Sequence, residues 1–189
     1  LSVSSRFHVT VDGQPVFTHA AEVADFAMFA IRGPVHVTVG CEQTVTSAIV
    51  RPLGRKIVPQ WDTKTVRFTV DGPGPLSVEV NGQIRPALLL FIDPPEESPP
   101  TLDAPNVVRF AGGQLHEAGE IRLADDQTLY LEPGAVVRGT VRAVGADRIR
   151  ILGRGIFDAR PRTTKTQFLD FRDCSQVELR DVLVLGSYG

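Results

Sequence analysis

The sequence predicts an all-β chain: an N-terminal antiparallel β-sandwich followed by the first rungs of a right-handed parallel β-helix. Three observations predict it. Short β-favouring runs recur along the whole chain, each broken by Gly, Pro or Asp. In the second half they recur as a unit. Leu129-Tyr-Leu131 is followed seven positions later by Val136, Ile149-Arg-Ile151 by Ile156, and Val177-Glu-Leu179 by Val184. Successive units are offset by 20 and then 28 residues. That is a solenoid period, in which one rung cannot bury its apolar face alone and stacks on the next. Finally, no amphipathic helix of ~10 residues fits between the strands, which excludes βαβ crossovers.

Residues 1–92 read as the sandwich. Arg6-Phe-His-Val-Thr-Val-Asp12 alternates apolar and polar residues and stops at Gly13; Pro15-Val-Phe17 follows. Asp25 to Ile31 suits helix as well as strand, and Gly33-Pro34 ends it. Val35 to Val39 alternates cleanly. Thr44 to Val50 reads as one strand, closed by Arg51-Pro52-Leu53. Val66 to Val70, Leu76 to Val80 and Ala87 to Ile92 complete the set. Asn81-Gly82 is a hairpin dipeptide, because both positions accept positive φ. Strands about ten residues apart with turn chemistry between them argue a sandwich with one face of each strand inward.

Residues 93–105 read as a linker. Asp93-Pro-Pro-Glu-Glu-Ser-Pro-Pro100 favours an extended backbone that cannot join a sheet, and its two glutamates serve solvation. The stretch 106–189 is the start of the β-helix. Branched apolar residues alternate there with Arg, Glu or Tyr, placing the first set in the lumen and the second outside. Pro161 to Lys165 is a polar insertion between rungs, which accounts for the longer second offset. Such insertions gather on one face of a solenoid, often the face that binds.

Composition narrows the function. A net charge of −2 gives no electrostatic reason to expect nucleic acid or an anionic membrane. No apolar run approaches the ~20 residues that span a bilayer. The start shows no Met, basic n-region or apolar h-region, as in a chain whose leader was removed or that was cropped. Cys41 and Cys174 fall in different domains and read as two buried free thiols. His8, His19, His36 and His116 are scattered without metal-ligand spacing, so no structural or catalytic metal is expected. There is no G-x-S-x-G elbow for a serine hydrolase.

The chain carries LSVEVNG and LLLFIDPPE, then VVRFAGGQLHEAGEIRL, TLYLEPGAVVRG, IRILGRGIFDARPR and FLDFRDCSQVELRDVLVLGS. In this order the segments resemble the polygalacturonase and dextranase type of glycoside hydrolase over the whole chain. The Gly153-x-Gly155 turn with Asp158, the Arg160-Pro161 pair, and the rung of Phe171, Cys174, Val177, Leu179 and Val182 carry the likeness. The resemblance implies a secreted or periplasmic enzyme that cleaves glycosidic bonds in a polysaccharide by Asp-based acid/base hydrolysis, with no cofactor. It also implies catalytic carboxylates in Asn-x-Asp and Asp-Asp segments on later rungs. Those segments do not occur after Leu185, so the expectation is the N-terminal portion of such an enzyme, with no catalytic residue in this stretch. The alternative is a non-catalytic carbohydrate-binding or adhesive β-helix module.

The expected substrate-contacting residues are Arg160, Arg162 and Lys165 in the insertion, with Asp170 beside it. In solution the basic trio is a solvated loop; against an anionic sugar such as a uronate it would pair with the carboxylate. Asp170 alternates with Leu169 and Phe171 and so points out of the lumen. Asp125-Asp126 is the adjacent carboxylate pair that glycoside hydrolysis brings to mind, but its position before a strand reads as a turn. Asp158 reads as a turn residue capping backbone N–H groups. Trp61 reads as a loop residue folded onto the sandwich edge or onto the solenoid, although an exposed ring there would stack on a sugar. An open last rung would expose Leu183 or Val184 and an unpaired strand edge, so the isolated chain is expected either to self-associate end to end, to carry a protective cap or to be part of a longer polypeptide.

Overall fold

The computed structural model describes residues 2–160 and 167–186. The chain divides into two compact units, Leu1–Glu96 and Glu97–Gly189. Among the described residues every regular element is a strand except one 3-10 turn, Leu53–Arg55.

The first unit holds eleven strands: β1 (Ser2–Val3), β2 (Phe7–Val11), β3 (Gln14–Val16), β4 (Thr18–Ala20), β5 (Ala24–Ala30), β6 (Val35–Cys41), β7 (Ala48–Arg51), β8 (Gln60–Trp61), β9 (Thr65–Val70), β10 (Leu76–Val80) and β11 (Gln83–Asp93). One sheet runs β1-β4-β5-β11-β10-β7 and the other β3-β2-β6-β9-β8. The inward positions of both sheets, among them Val37, Val39, Val66, Val78, Leu88 and Leu90, form one apolar core. Each fully buried side chain of this kind contributes about 1.5–3 kcal/mol. The cluster therefore outweighs the cost of the few polar groups enclosed with it.

Three local readings need correction. The ambiguous Asp25–Ile31 run is a strand, β5, and it pairs with β11 in parallel, so the sandwich is not uniformly antiparallel. Thr44 to Ser47 is not strand. The Asn81 side chain accepts the Thr46 and Ser47 amides at 2.7 and 3.2 Å and holds that segment off the ladder. Trp61 lies in edge strand β8, opposite Val66, and not in a loop. The Asn81-Gly82 hairpin does form, with φ of 58° and 71°.

Asp25 is the enclosed acid of this unit. It accepts Ser4 Oγ at 2.6 Å, Arg6 Nε at 3.0 Å and the Ala21 amide at 3.2 Å, and Arg6 Nη2 closes on its other oxygen. Burial alone would raise its pKa. The hydrogen bonds from Arg6, Ser4 and Ala21 outweigh burial and hold it below the usual carboxylate range. His19, stacked on Phe26 with ring centroids 4.7 Å apart, has no such help. Its Nδ1 is shielded without a partner, and burial pushes its pKa down to about 4.

The second unit is a three-faced parallel solenoid built from β12 (Val107–Phe110), β13 (Leu115–Arg122), β14 (Thr128–Leu131), β15 (Val136–Val144), β16 (Arg150–Gly153), β17 (Ile156–Asp158), β18 (Leu169–Arg172), β19 (Glu178–Leu179) and β20 (Leu183–Leu185). The first face stacks β12-β14-β16-β19. The second stacks the starts of β13 and β15 with β17 and β20. The third stacks the ends of β13 and β15 with β18. The lumen is filled by Leu129, Leu131, Ile151, Val137, Phe157, Val141 and Ala143. In the last described rung Val177 and Leu179 are exposed, whereas Leu183 and Val184, expected to be exposed, are half-buried.

The expected register was off by one step of the pleat. Leu129 lies against Ile151, two residues past Ile149. A two-residue slip keeps every side chain on its own side of the strand, so alternation cannot detect it. Ile151 against Leu179 and Val136 against Ile156 match the expected offsets of 28 and 20. On the second face it is Val137, Phe157 and Val184 that meet the lumen core, not Val136 and Ile156. Cys41 is buried as expected, whereas Cys174 is only partly so.

The corner at Gly153 and Gly155 sets the rung spacing. Gly153 has φ +112°, and a Cβ there would lie 2.0 Å from Leu131 O. One on Gly155 would lie 2.6 Å from Leu131 Cβ. Only glycine lets the third rung settle on the second.

Two predictions follow from this packing. Gly153→Ala lowers the urea-unfolding stability of the chain by about 3 kcal/mol, from backbone strain plus the clash. Gly54→Ala, which meets nothing within 4 Å, stays within about 0.5 kcal/mol of wild type. For His19, the unfolded chain takes up a proton near 6.5 and the folded one near 4. Its contribution is therefore intact above pH 6.5 and is lost as pH falls towards 4. Asp25, depressed below its ordinary 3.8, adds no loss until lower pH. Urea midpoints at pH 7 and pH 4.5 test this: wild type loses stability between them, and His19→Phe flattens that loss.

Candidate functional site: a polar groove on the third face

The third face presents its outward residues in rows. Glu120 pairs with Thr140, Arg122 with Arg142, Arg142 with Asp170, and Val144 with Arg172. The inward neighbours Ile121, Val141 and Leu169 pack on the lumen cluster, so the pleat fixes which side chains face out. The strands reach this face by bending at Gly119 and Gly139, where a Cβ on Gly139 would lie 2.5 Å from Gly119 O.

Between these rows lies a depression of about 630 Å³ lined by Glu120, Thr140, Arg142, Gln167, Asp170 and Arg172. Asp170 sits between two guanidiniums, with Arg172 Nε at 2.9 Å and Arg142 Nε at 3.8 Å. Glu120 accepts Arg122 Nε at 2.6 Å. Gln167 is the first described residue after the insertion. The lining thus offers hydroxyl, amide, carboxylate and guanidinium groups side by side. Its two acids and two bases balance. Such a surface suits a ligand rich in groups that both donate and accept, as hydroxyls do.

Of the expected contact residues, Asp170 lies in this groove and points outward. Arg160 does not line it. Its Nε and Nη2 sit on the Asp158 carboxylate at 2.7 and 3.1 Å. Arg162 and Lys165 lie outside the described residues. The structure therefore joins Asp170 to Arg142, Arg172, Thr140, Glu120 and Gln167 rather than to Arg160. Alternation marks Glu120, Thr140, Arg142, Asp170 and Arg172 as outward but does not say which outward residues share a face, and Gln167 lies outside the strands.

Asp158 ends strand β17 and is not a turn residue, although its carboxylate does accept a backbone N–H, that of Arg160 at 3.4 Å. Its side chain is fully buried between Arg138, at 3.2 Å, and Arg160. Burial would raise its pKa; Arg160 and then Arg138 overcome that and hold the carboxyl low. Arg138 also reaches Glu117 at 2.8 Å, so a charge ladder crosses three rungs of the second face. Asp125 and Asp126 form a turn. Asp125 accepts the Asp147 amide at 2.9 Å, and Asp126, with φ 61°, binds Arg148 through both oxygens. Asp126, Arg148 and Gln176 hold one corner position in successive rungs, all with positive φ.

Glycosidic cleavage needs a carboxylic acid whose pKa is raised. Among the described residues each carboxylate with a resolved shift is lowered: Asp25, Asp62, Asp71, Asp126, Glu132 and Asp158. No group of three or more metal-ligating side chains occurs among the described residues. None of their helices is long and apolar enough to cross a membrane.

No family model matches the sequence, and no curated protein matches it. Among solved structures, the dextranase Dex49A from Penicillium minioluteum is similar, with a TM-score of 0.65 and 13% identity. The match covers 95% of this chain and 54% of that one, so the chain spans about half the length of the dextranase. At this identity the likeness shows the fold: an all-β chain of the kind found in a β-helix glycoside hydrolase.

The buried acid and the groove acid respond differently to substitution. Asp158→Asn leaves two guanidiniums beside a neutral group and costs about 3 kcal/mol in urea unfolding. Asp170→Asn, on the rim, leaves the unfolding midpoint near wild type.

Proposed function

We propose that this chain is the N-terminal portion of a secreted or periplasmic glycoside hydrolase that cleaves a polysaccharide by Asp-based acid/base chemistry, with the catalytic rungs beyond residue 189. The observation that carries the reading is the fold likeness to a dextranase over nearly the whole chain. The third-face groove supports it by presenting a balanced polar lining to a hydroxyl-rich chain. In this reading Arg142, Arg172, Gln167 and Asp170 hold the saccharide, and rungs stacked on the same face supply the carboxylates.

A second reading, a non-catalytic carbohydrate-binding module, is favoured by one observation: every described carboxylate with a resolved shift is lowered. The two readings share the groove and differ in turnover. Affinity electrophoresis against neutral glucans and polygalacturonate tests the groove. Retardation by a neutral glucan is expected for wild type, with at least a ten-fold weaker interaction for Arg142→Ala/Arg172→Ala. Equal retardation of the two proteins removes the groove from the account. Reducing-sugar release by a longer polypeptide that includes this chain supports the enzyme reading; binding without release supports the module.

A further inference from the structure

We propose that Trp61 is a stacking platform for a neutral saccharide, a binding site on the first unit separate from the third-face groove. The inference rests on the carbohydrate reading of the chain and not on the groove.

Among the described Phe, Tyr and Trp rings, two stand open to water, Phe17 at 54% and Trp61 at 46%. Phe17 lies against His19, with ring centroids 4.5 Å apart. The place of Trp61 follows from strand pairing. β8 sets Trp61 opposite Val66 and Gln60 opposite Arg67. Directly opposed residues share a side of a sheet, so Trp61 lies on the side of Val66, a core residue. β8 is also the last strand of its sheet. The indole therefore covers the margin of the core with part of its surface and leaves nearly half in water.

The backbone on either side of the ring is held. Before β8, Arg55 donates to Pro73 O at 3.2 Å, to Gly72 O at 2.7 Å and to Asp71 Oδ1 at 3.0 Å. After it, the Asp62 amide donates to Thr65 O at 3.0 Å. The Asp62 carboxylate accepts the Lys64 and Thr65 amides, each at 2.9 Å. A platform fixed in this way loses little further freedom when a ligand settles on it.

The groups beside the ring suit an uncharged, hydroxyl-rich ligand. Asp62 also accepts Arg67 Nη1 at 2.9 Å and Thr65 Oγ1 at 2.7 Å, and Lys64 Nζ donates to the Glu42 carbonyl. These charges are engaged already, while Gln60 and Thr63 are exposed and offer an amide and a hydroxyl. A pyranose has a face of C–H bonds edged by hydroxyls. Its C–H hydrogens lie on the electron-rich face of an indole, and its hydroxyls both donate and accept. A strand of two residues is too short to template pairing with another chain.

Trp61 is the one tryptophan of the chain, so tryptophan fluorescence reads this site alone. Wild type and Arg142→Ala/Arg172→Ala are each titrated with a neutral gluco-oligosaccharide. The expected result is a saturable shift of emission to shorter wavelength in both proteins, as the ring loses water. In affinity electrophoresis against a neutral glucan, Trp61→Ala is expected to interact about five-fold more weakly than wild type. Trp61→Phe keeps a ring and recovers part of the loss. Unchanged emission in wild type, where Arg142→Ala/Arg172→Ala loses its retardation, overturns the platform and leaves the groove standing. So does a shift that wild type shows and the double variant lacks, or retardation of Trp61→Ala equal to wild type. A shift in both proteins with equal retardation removes the groove and supports the platform. A shift produced by raising protein concentration alone gives the ring to a second copy of the chain and overturns the proposal. Neither shift nor retardation overturns the platform together with the carbohydrate reading.

Discussion

The second unit depends on one constraint: successive rungs must approach to about 4.8 Å at the corners as well as along the strands. Hydrogen bonding sets that distance along a strand. At a corner the ladder is interrupted and side chains get in the way. Gly153 and Gly155 remove the obstruction where the third rung passes Leu131. Gly112 does the same beneath Pro133, and Gly139 beneath Gly119. Once the corners close, Leu129, Ile151, Val137 and Phe157 lose all or nearly all contact with water. The same stacking brings the outward residues of different rungs within ion-pair distance. The groove and the charge ladders are therefore products of the lumen packing.

The first unit answers a different demand. Its sheets close over an apolar core, yet Asp25 sits fully buried. The acid is tolerated because Ser4, Arg6 and the Ala21 amide converge on it. Ser4 Oγ in turn accepts the Arg6 and Phe7 amides at 3.1 and 2.9 Å. The bracket fastens the entry to β2 onto β5. Without it, the first turn would leave backbone donors and a carboxylate enclosed together and unmatched.

Periodicity made the fold legible. Alternation in Val35–Val39 and Leu76–Val80, and the Asn81-Gly82 turn, are local signals that the tertiary structure obeys. Solenoid stacking was visible as well, but its register was not. Leu129 against Ile149 and Leu129 against Ile151 satisfy the same alternation, and only the corner geometry selects the second. The site was less legible for a related reason. Asp170 could be read as outward, but its neighbours Arg142 and Thr140 lie a rung away and become neighbours only through register. Asp158 looked like a turn residue because it follows Gly153-x-Gly155. Its burial depends on Arg138, twenty positions earlier, which no local pattern connects to it.

We propose that carbohydrate binds on the third face, where stacking aligns a guanidinium pair around Asp170. A crystal structure of the chain soaked with a neutral glucan oligosaccharide tests this most directly. The account predicts sugar density over Arg142, Gln167, Asp170 and Arg172. Density stacked on Trp61 of the sandwich, with the third face empty, would contradict it.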